Sequence, residues 1–144
     1  MTQVYAAAPS CAYSGVKTRH WETICLLVLE AEYEATVWSA VLNRARGGAR
    51  DVFLTFLGGG VFGNDMRWIA RAIGRACAKA KKANADLNVV VTHYRTINKD
   101  VEAMVNAAMA EAEELENISV NYKSHAYTKS PSEDHTQHYS DRDF

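Results

Sequence analysis

The feature that most constrains the fold of this chain is a glycine-rich stretch between an apolar run and an amphipathic segment. Residues 51–57, DVFLTFL, are β-branched or aromatic on both sides of the pleat, which predicts a central strand covered on both faces. Residues 57–65, LGGGVFGND, follow directly, and residues 66–82 repeat apolar side chains at helical spacing. Together they predict a strand, a loop and a helix, with the loop at the carboxyl end of the strand.

Two segments precede this unit. Residues 3–8, QVYAAA, form a short apolar run that Pro9 closes, and the run predicts a buried strand. From Thr18 onward, apolar side chains recur every three or four residues until Gly47 and Gly48 end the pattern, which predicts a long amphipathic helix. Its expected buried side comprises Trp21, Ile24, Cys25, Val28, Ala31, Ala35, Trp38, Val41 and Leu42.

Two more segments follow the unit. Residues 87–94, LNVVVTHY, predict a third strand, and apolar side chains from Val101 to Leu115 predict a last helix. This alternation predicts an α/β fold with a mostly parallel sheet in a three-layer αβα arrangement. We expect the domain to occupy residues 1–117. Residues 118–144 have little aliphatic content and no period, which predicts a disordered polar tail.

Composition and charge exclude several classes of protein. The chain has 144 residues and a net charge of −1, which is typical of one globular domain and does not favour tight binding to nucleic acid or to an anionic membrane. Cys11, Cys25 and Cys77 are widely spaced, without a CxxC pair, and indicate neither a disulfide framework nor a zinc site. We expect Cys25 and Cys77 to be inert core residues, and we expect no cofactor. Without a signal peptide or a membrane-spanning run, the sequence predicts a protein of the cytoplasm or nucleus.

The glycine-rich loop has the composition of an anion site. Glycines let the main chain approach a phosphate closely, and the helix that follows directs free N–H groups outward. Gly58, Gly60 and Gly63 satisfy GxGxxG, but the next strand ends in His93 and Tyr94 rather than in the acidic residue of a dinucleotide-binding unit. No Lys-Ser/Thr pair follows, so a P-loop is not supported. The alternative is a turn needed only for tight packing between strand and helix.

Residues 27–76, LVLEAEYEATVWSAVLNRARGGARDVFLTFLGGGVFGNDMRWIARAIGRA, resemble the second half of a macrodomain, the module that binds ADP-ribose. In that family a helix leads into an apolar strand, and the strand ends in a glycine-aromatic-glycine loop that wraps the diphosphate. The loop GGGVFGND is also similar to that of poly(ADP-ribose) glycohydrolases and related ADP-ribosyl hydrolases. The resemblance covers about residues 3–116.

The resemblance implies a set of ligand-binding residues. The loop would hold the diphosphate and the distal ribose, with Phe62 against the ribose, and His93 or Tyr94 would place a ring against the adenine. Those two rings have an alternative role, since aromatic residues at strand ends often close a core. The implied loop residues are Gly58, Gly59, Gly60, Val61, Phe62, Gly63 and Asn64.

Part of the family pattern has no counterpart in this sequence. Macrodomains begin with a segment that carries the acidic residue for the adenine amine, and the glycohydrolases keep their catalytic glutamates there. We therefore expect a fragment, a second chain or N-terminal segment that completes the sheet, or direct pairing of the remaining strands with a reduced cleft.

Several acidic and basic side chains are candidates for other roles. Asp65, beside the loop, is a candidate general acid or base, with a helix cap as the alternative. Asn64 is also a candidate cap.

Glu30 and Glu34 would act as a pair of carboxylates, one as acid and one as base, or would belong to a solvated helix face. The basic residues between Arg67 and Lys82 would attract phosphates or form a solvated face. No metal site is expected, since His135 and His138 fall in the predicted tail.

The sequence thus predicts a protein that binds ADP-ribose or an ADP-ribosylated protein. One alternative is an ADP-ribosyl hydrolase, in which the loop bends the diphosphate so that water reaches the distal ribose. The other is an interaction module or remnant that binds no ligand and pairs with another chain through its sheet edge.

Overall fold

A computed structural model describes residues 2–93 and 97–126, with side chains as far as Leu115. This part of the chain forms three long helices and two short strands, a mixed α/β architecture in agreement with the predicted class. The elements are α1 (Glu22–Ala45), β1 (Asp51–Leu54), α2 (Met66–Lys82), β2 (Asn88–Val91) and α3 (Lys99–Ala126), preceded by single 3-10 turns at Cys11–Tyr13 and Thr18–Trp21.

The sheet consists of β1 and β2 side by side. The strands are parallel, with Asp51 opposite Asn88 and Leu54 opposite Val91. The amide of Thr92 donates to the carbonyl of Leu54, which extends the pairing by one bond at the carboxyl end. Since α2 connects the strands, β1, α2 and β2 form one crossover unit, and the predicted parallel pairing is confirmed.

The core lies between the sheet and the helices. Val52 and Leu54 of β1 are buried together with side chains of α1 and α2, and α2 also packs against α3. The largest fully buried side chains are Cys25, Leu29, Val37, Ile69 and Ile73. The bounds of α2 agree with the predicted helix over 66–82 because its apolar period is strong and Asp65 caps its first turn.

The other face of the sheet is open. Phe53 is 67% exposed and Val90 is also exposed, because nothing in the described part of the chain packs on that face. The prediction that β1 is covered on both faces is therefore wrong for the described residues. An aromatic residue between two buried aliphatic residues does not reveal from sequence alone whether its own side of the strand is covered.

The predicted strand over 3–8 is also not formed. Residues 2–10 have no regular secondary structure, and Tyr5 is 90% exposed. The amide of Ala7 donates to Oε1 of Glu32 on α1 at 3.1 Å. Its acceptor is therefore a helix side chain and not the backbone of a neighbouring strand. Three consecutive alanines also bury little apolar area, which leaves the segment without the packing of a core strand.

The buried side of α1 agrees only in part with the predicted one, since Cys25 is buried as expected. The helix buries Cys25, Leu29, Tyr33 and Val37, whereas Ile24, Trp38 and Leu42, expected inside, are exposed. Apolar residues occupy most sides of this helix, so their spacing fits more than one buried face.

The last helix is longer than predicted. α3 continues to Ala126 and so passes residue 117, where we expected the domain to end. The rest of the predicted tail, 127–144, lies outside the described residues, together with His135 and His138. Among the helices that are described, none is long and apolar enough to span a bilayer.

Candidate functional site

The candidate site is the loop between β1 and α2, and Tyr33 of α1 holds its beginning. The Tyr33 hydroxyl donates to the carbonyl of Thr55 at 2.6 Å and accepts from the amide of Leu57 at 2.8 Å. Burial raises the pKa of Tyr33 to about 12, so the hydroxyl keeps its proton at neutral pH. This side chain fixes the chain immediately before the glycines, a role that the sequence analysis did not identify.

Two of the glycines adopt left-handed backbone conformations. Gly58 has φ +75° and Gly63 has φ +69°, a region that other residues rarely occupy. A Cβ at Gly58 would also lie 2.5 Å from the Cβ of Ala8, so any side chain there would displace the N-terminal segment. The glycines at these two positions are therefore required by the loop conformation itself.

The loop forms hydrogen bonds within itself, and these occupy part of its backbone. Three amides donate to carbonyls of the same loop: Gly59 to Phe56 at 3.1 Å, Gly63 to Gly60 at 3.0 Å, and Asn64 to Gly58 at 3.0 Å. These bonds make turns of residues 56–64, and the three amides are not available to a ligand in this conformation.

At the tip of the loop, in contrast, the backbone amides do not donate to other loop residues. The amides of Gly60, Val61 and Phe62 have no acceptor among residues 2–93 and 97–115, and neither does that of Gly58. The three tip residues are exposed to solvent. The tip therefore presents three consecutive backbone donors near the N-terminus of α2.

Asn64, expected among the ligand-binding residues, has its side chain inside the protein. It is the one buried polar residue found among the described side chains, and its Nδ2 donates to the carbonyls of Pro9 at 2.8 Å and Gly58 at 3.3 Å. The amide of Ala12 donates to the carbonyl of Phe62 at 3.0 Å. Residues 8–12 thus form the back of the loop, and Asn64 joins the two segments.

Asp65, the candidate acid or base, caps α2. Its Oδ1 accepts from the amide of Arg67 at 2.9 Å, and both carboxylate oxygens contact the Arg67 guanidinium. These hydrogen bonds from Arg67 lower the pKa of Asp65, so the group is a carboxylate at neutral pH and has no proton to give as an acid. The geometry is that of the cap alternative.

His93 lies at the carboxyl end of β2, beside a cleft. Its ring meets the ring of Phe56 edge to face, with centroids 4.9 Å apart, and its Nδ1 accepts from the amide of Asn98 at 3.2 Å. The cleft, of about 680 Å³, is bounded by β2, α2 and α3, and its lining includes Leu87, Val91, Val105 and Met109. Tyr94, the other predicted adenine-stacking residue, lies outside the described residues.

The acidic residues of α1 and the basic side of α2 neutralise one another. Glu30 pairs with Arg71 at 3.2 Å and with Arg75 at 3.4 Å, and Glu34 pairs with Lys79. The two glutamates therefore connect α1 to α2 rather than forming an acid–base pair. The basic side chains of Arg71, Arg75 and Lys79 already have these carboxylates as partners. Within the described chain no group of three metal-ligating side chains comes together.

The candidate site thus comprises exposed backbone donors at the loop tip, a buried asparagine behind them and a largely apolar cleft along the neighbouring strand. The loop follows β1 and His93 follows β2, so both lie at the carboxyl edge of the parallel sheet, and the cleft extends from His93 along β2. In comparisons with models of protein families, with curated proteins and with solved structures, no match to this chain was found.

Proposed function

We propose that this chain binds ADP-ribose, or an ADP-ribosyl group carried by a protein, through the loop of residues 58–64. The proposal depends above all on one observation: the adjacent amides of Gly60, Val61 and Phe62 have no acceptor in the described part of the chain. Consecutive N–H groups between the end of a strand and the start of a helix are well suited to phosphate oxygens. A diphosphate would accept from them at the loop tip.

The surroundings of the tip suit the remaining parts of such a ligand. Phe62 is partly exposed and offers its ring to the distal ribose. His93 lies at the carboxyl end of β2, the strand adjacent to β1, where α/β proteins commonly bind ligands, and the cleft extends from His93 along β2. The apolar lining of the cleft would receive the adenine, with the ring of His93 at its edge.

The local charge is compatible with an anionic ligand. Asp65 is the acidic group next to the loop, and its pairing with Arg67 offsets its charge. The Arg67 side chain is largely exposed, so the guanidinium remains accessible from solvent while it contacts the carboxylate. The positive end of the α2 dipole adds to the attraction for phosphate.

Isothermal titration calorimetry with ADP-ribose tests the proposal, using Gly60→Glu as the disruptive variant. A Cβ at Gly60 would meet no atom within 4 Å, so this substitution leaves the fold intact while it places a carboxylate at the loop tip. We expect the affinity to fall by at least about tenfold because of like-charge repulsion. Ala49→Glu, an exposed position just before β1 at the opposite end of the strand, is the matched control and should bind like the original chain.

Absence of ADP-ribose binding to the original chain would overturn the proposal. Equal affinities of the original chain and Gly60→Glu would overturn the assignment of the loop.

Hydrolysis of the ADP-ribosyl bond has less support, because the carboxylate of Asp65 already caps α2 and forms an ion pair with Arg67. The proposal therefore extends to binding and not to catalysis.

We also propose that a further polypeptide segment covers the open side of the sheet, either a second chain or a part of this one outside the described residues. Each of the two strands has one neighbour in the described sheet, and Phe53 and Val90 are exposed on the uncovered face. A layer on that face would complete the three-layer, macrodomain-like arrangement expected from the sequence.

For the compartment we propose the cytoplasm or nucleus. Cys11, Cys25 and Cys77 are free thiols in the structure. Free thiols are typical of proteins that fold in a reducing compartment, in which disulfides form transiently.

A further inference from the structure

Two cysteines distant in sequence lie side by side behind the candidate site. The Sγ atoms of Cys11 and Cys25 are 3.2 Å apart, and the two residues are 2% and 0% exposed. Cys11 begins the first 3-10 turn, and Cys25 lies in the first turn of α1. Since bonded sulfurs are about 2.05 Å apart, the two sulfurs need to approach by only about 1 Å.

We propose that Cys11 and Cys25 form a reversible intramolecular disulfide that ties the segment of residues 8–12 to α1. The inference goes beyond ADP-ribose binding and does not depend on it. It also replaces the expectation that Cys25 is an inert core residue. The third cysteine, Cys77, lies on α2 and has no contact with the other two among the described interactions.

Hydrogen peroxide is an oxidant of the class that completes this reaction. The Cys11 sulfur attacks one peroxide oxygen, the O–O bond breaks, and a sulfenic acid and one water form. The Cys25 sulfur then displaces the hydroxyl group of the sulfenic acid, which forms the S–S bond and releases a second water. In total two thiols are oxidised and one peroxide is reduced to two waters.

The order of these steps follows from the surroundings of the two thiols. Cys11 lies in a single turn next to residues 2–10, which have no regular secondary structure, so a local opening suffices to admit the oxidant. Cys25 lies inside a helix, where burial raises its pKa and disfavours the thiolate that reacts with peroxide. Cys11 is therefore the residue oxidised first, and Cys25 is the one that closes the bond.

The bond would act directly on the back of the loop. The Sγ of Cys11 is 3.9 Å from Oδ1 of Asn64, and the next residue, Ala12, donates its amide to the carbonyl of Phe62. A disulfide fixes Cys11 to α1 and so restrains both contacts. Oxidation should therefore stiffen residues 58–64 as well as residues 8–12.

Peptide mapping of the original chain tests the proposal without any substitution. The reduced protein is treated with hydrogen peroxide, its remaining thiols are blocked with N-ethylmaleimide, and the chain is digested with trypsin. Cleavage after Lys17, Arg19 and Arg44 places Cys11 in peptide 1–17 and Cys25 in peptide 20–44. We expect these two peptides to be joined, with a loss of 2 Da relative to their sum, and to separate after reduction.

The third cysteine provides the matched control. Cys77→Ala should form the same cross-linked pair, whereas Cys11→Ala and Cys25→Ala should not. A bond that includes peptide 76–79, which carries Cys77, would overturn the proposal. So would a product in which Cys11 is oxidised to sulfinic acid while Cys25 is recovered as its maleimide adduct.

Hydrogen–deuterium exchange of the oxidised and reduced chains tests the effect on the loop. We expect slower exchange in residues 8–12 and 58–64 after oxidation, and unchanged exchange in β2, whose contacts do not include Cys11. Equal exchange rates in residues 58–64 of the two forms would overturn the coupling between the disulfide and the loop.

Discussion

At the scale of single residues, the side chains of Tyr33 and Asn64, both buried and both hydrogen-bonded to the backbone, determine the shape of the loop. The hydroxyl of Tyr33 joins α1 to the backbone on either side of Phe56, and the amide of Asn64 joins the loop to Pro9. Each adds hydrogen bonds to backbone groups inside the protein, beside the bond that the amide of Leu57 donates to the carbonyl of Thr55 at 3.0 Å. The glycines allow the loop to turn, but these two residues select the conformation that it adopts.

Tyr33→Phe should reduce the free energy of unfolding by about 1 kcal/mol, because it removes both hydrogen bonds of the hydroxyl, while the amide of Leu57 still donates to the carbonyl of Thr55 at 3.0 Å. Urea denaturation followed by circular dichroism measures the difference. Tyr5→Phe is the matched control, since Tyr5 is exposed and should change stability by less than about 0.5 kcal/mol. A similar cost for both variants would contradict the role assigned to Tyr33.

Asp65 should make a contribution to stability that depends on pH. Arg67 lowers the pKa of Asp65 below its ordinary value of 3.8, so the folded state binds this proton less readily than the unfolded state does. The stabilisation is present above about pH 4 and is lost as the pH falls below it. Asp65→Ala should cost about 1 kcal/mol at pH 7 through loss of the cap, and this difference should shrink in acid.

Asp65→Asn is the control for this prediction, because asparagine also caps helices but does not titrate. Urea denaturation at pH 7 and at pH 3 measures both variants. A cost of Asp65→Ala that stays constant between the two pH values would contradict the assignment.

Local and distant contacts differ in how far the sequence predicts them. The cap at Asp65 connects residues two apart and was among the predicted alternatives. Asn64 and Pro9 are 55 residues apart, and Tyr33 and Leu57 are 24 apart, so neither pair leaves a pattern within a sequence window. The contact between the sulfurs of Cys11 and Cys25, which are 14 residues apart, is not predicted from the sequence for the same reason.

At the scale of elements, a helix or strand is predicted more accurately where its apolar side chains repeat at regular spacing on one side. The prediction for α2 has the observed bounds, since its basic and apolar sides are clearly separated. α1 is apolar on most sides, so a helix was predicted correctly, but of the residues expected inside Cys25 is buried while Ile24 and Trp38 are exposed. The segment of residues 3–8 has an apolar composition but no neighbouring strand, and it forms no strand.

Oxidation should stabilise the connection between the N-terminal segment and α1. A disulfide between Cys11 and Cys25 closes a loop of about 15 residues, which by chain entropy is worth about 3 kcal/mol, or roughly 10 °C in melting temperature. Differential scanning calorimetry of the oxidised and reduced chain measures the shift. The same treatment of Cys25→Ala should leave the melting temperature unchanged, and a shift of equal size in that variant would contradict the assignment.

At the scale of the whole molecule, the sheet is covered on one side only within the described residues. Val52 and Leu54 pack into the core, while Phe53 between them faces away. The predicted α/β class and the parallel pairing follow from the alternation of elements along the chain. Whether a layer covers the second face depends on contacts with other segments, which the alternation of strands and helices does not specify.

Two substitutions in neighbouring residues of β1 test this asymmetry. Leu54→Ala should lower the free energy of unfolding by about 2–5 kcal/mol because it leaves a cavity in the core. In the chain without a partner, Phe53→Thr should change it by less than about 0.5 kcal/mol, since among the described residues nothing covers the largely exposed ring and threonine favours strands. A cost for Phe53→Thr as large as that for Leu54→Ala would show that the second face is covered in solution.

The central claim is that the loop tip binds a diphosphate through its backbone, and amide chemical shifts during a titration with ADP-ribose test it most directly. We predict that the amide resonances of Gly60, Val61 and Phe62 move with a common saturation curve, and that those of Gly59 and Gly63 move less because their protons are already donated within the loop. Saturable binding that leaves the three tip resonances in place, or no response of any amide, would contradict the claim.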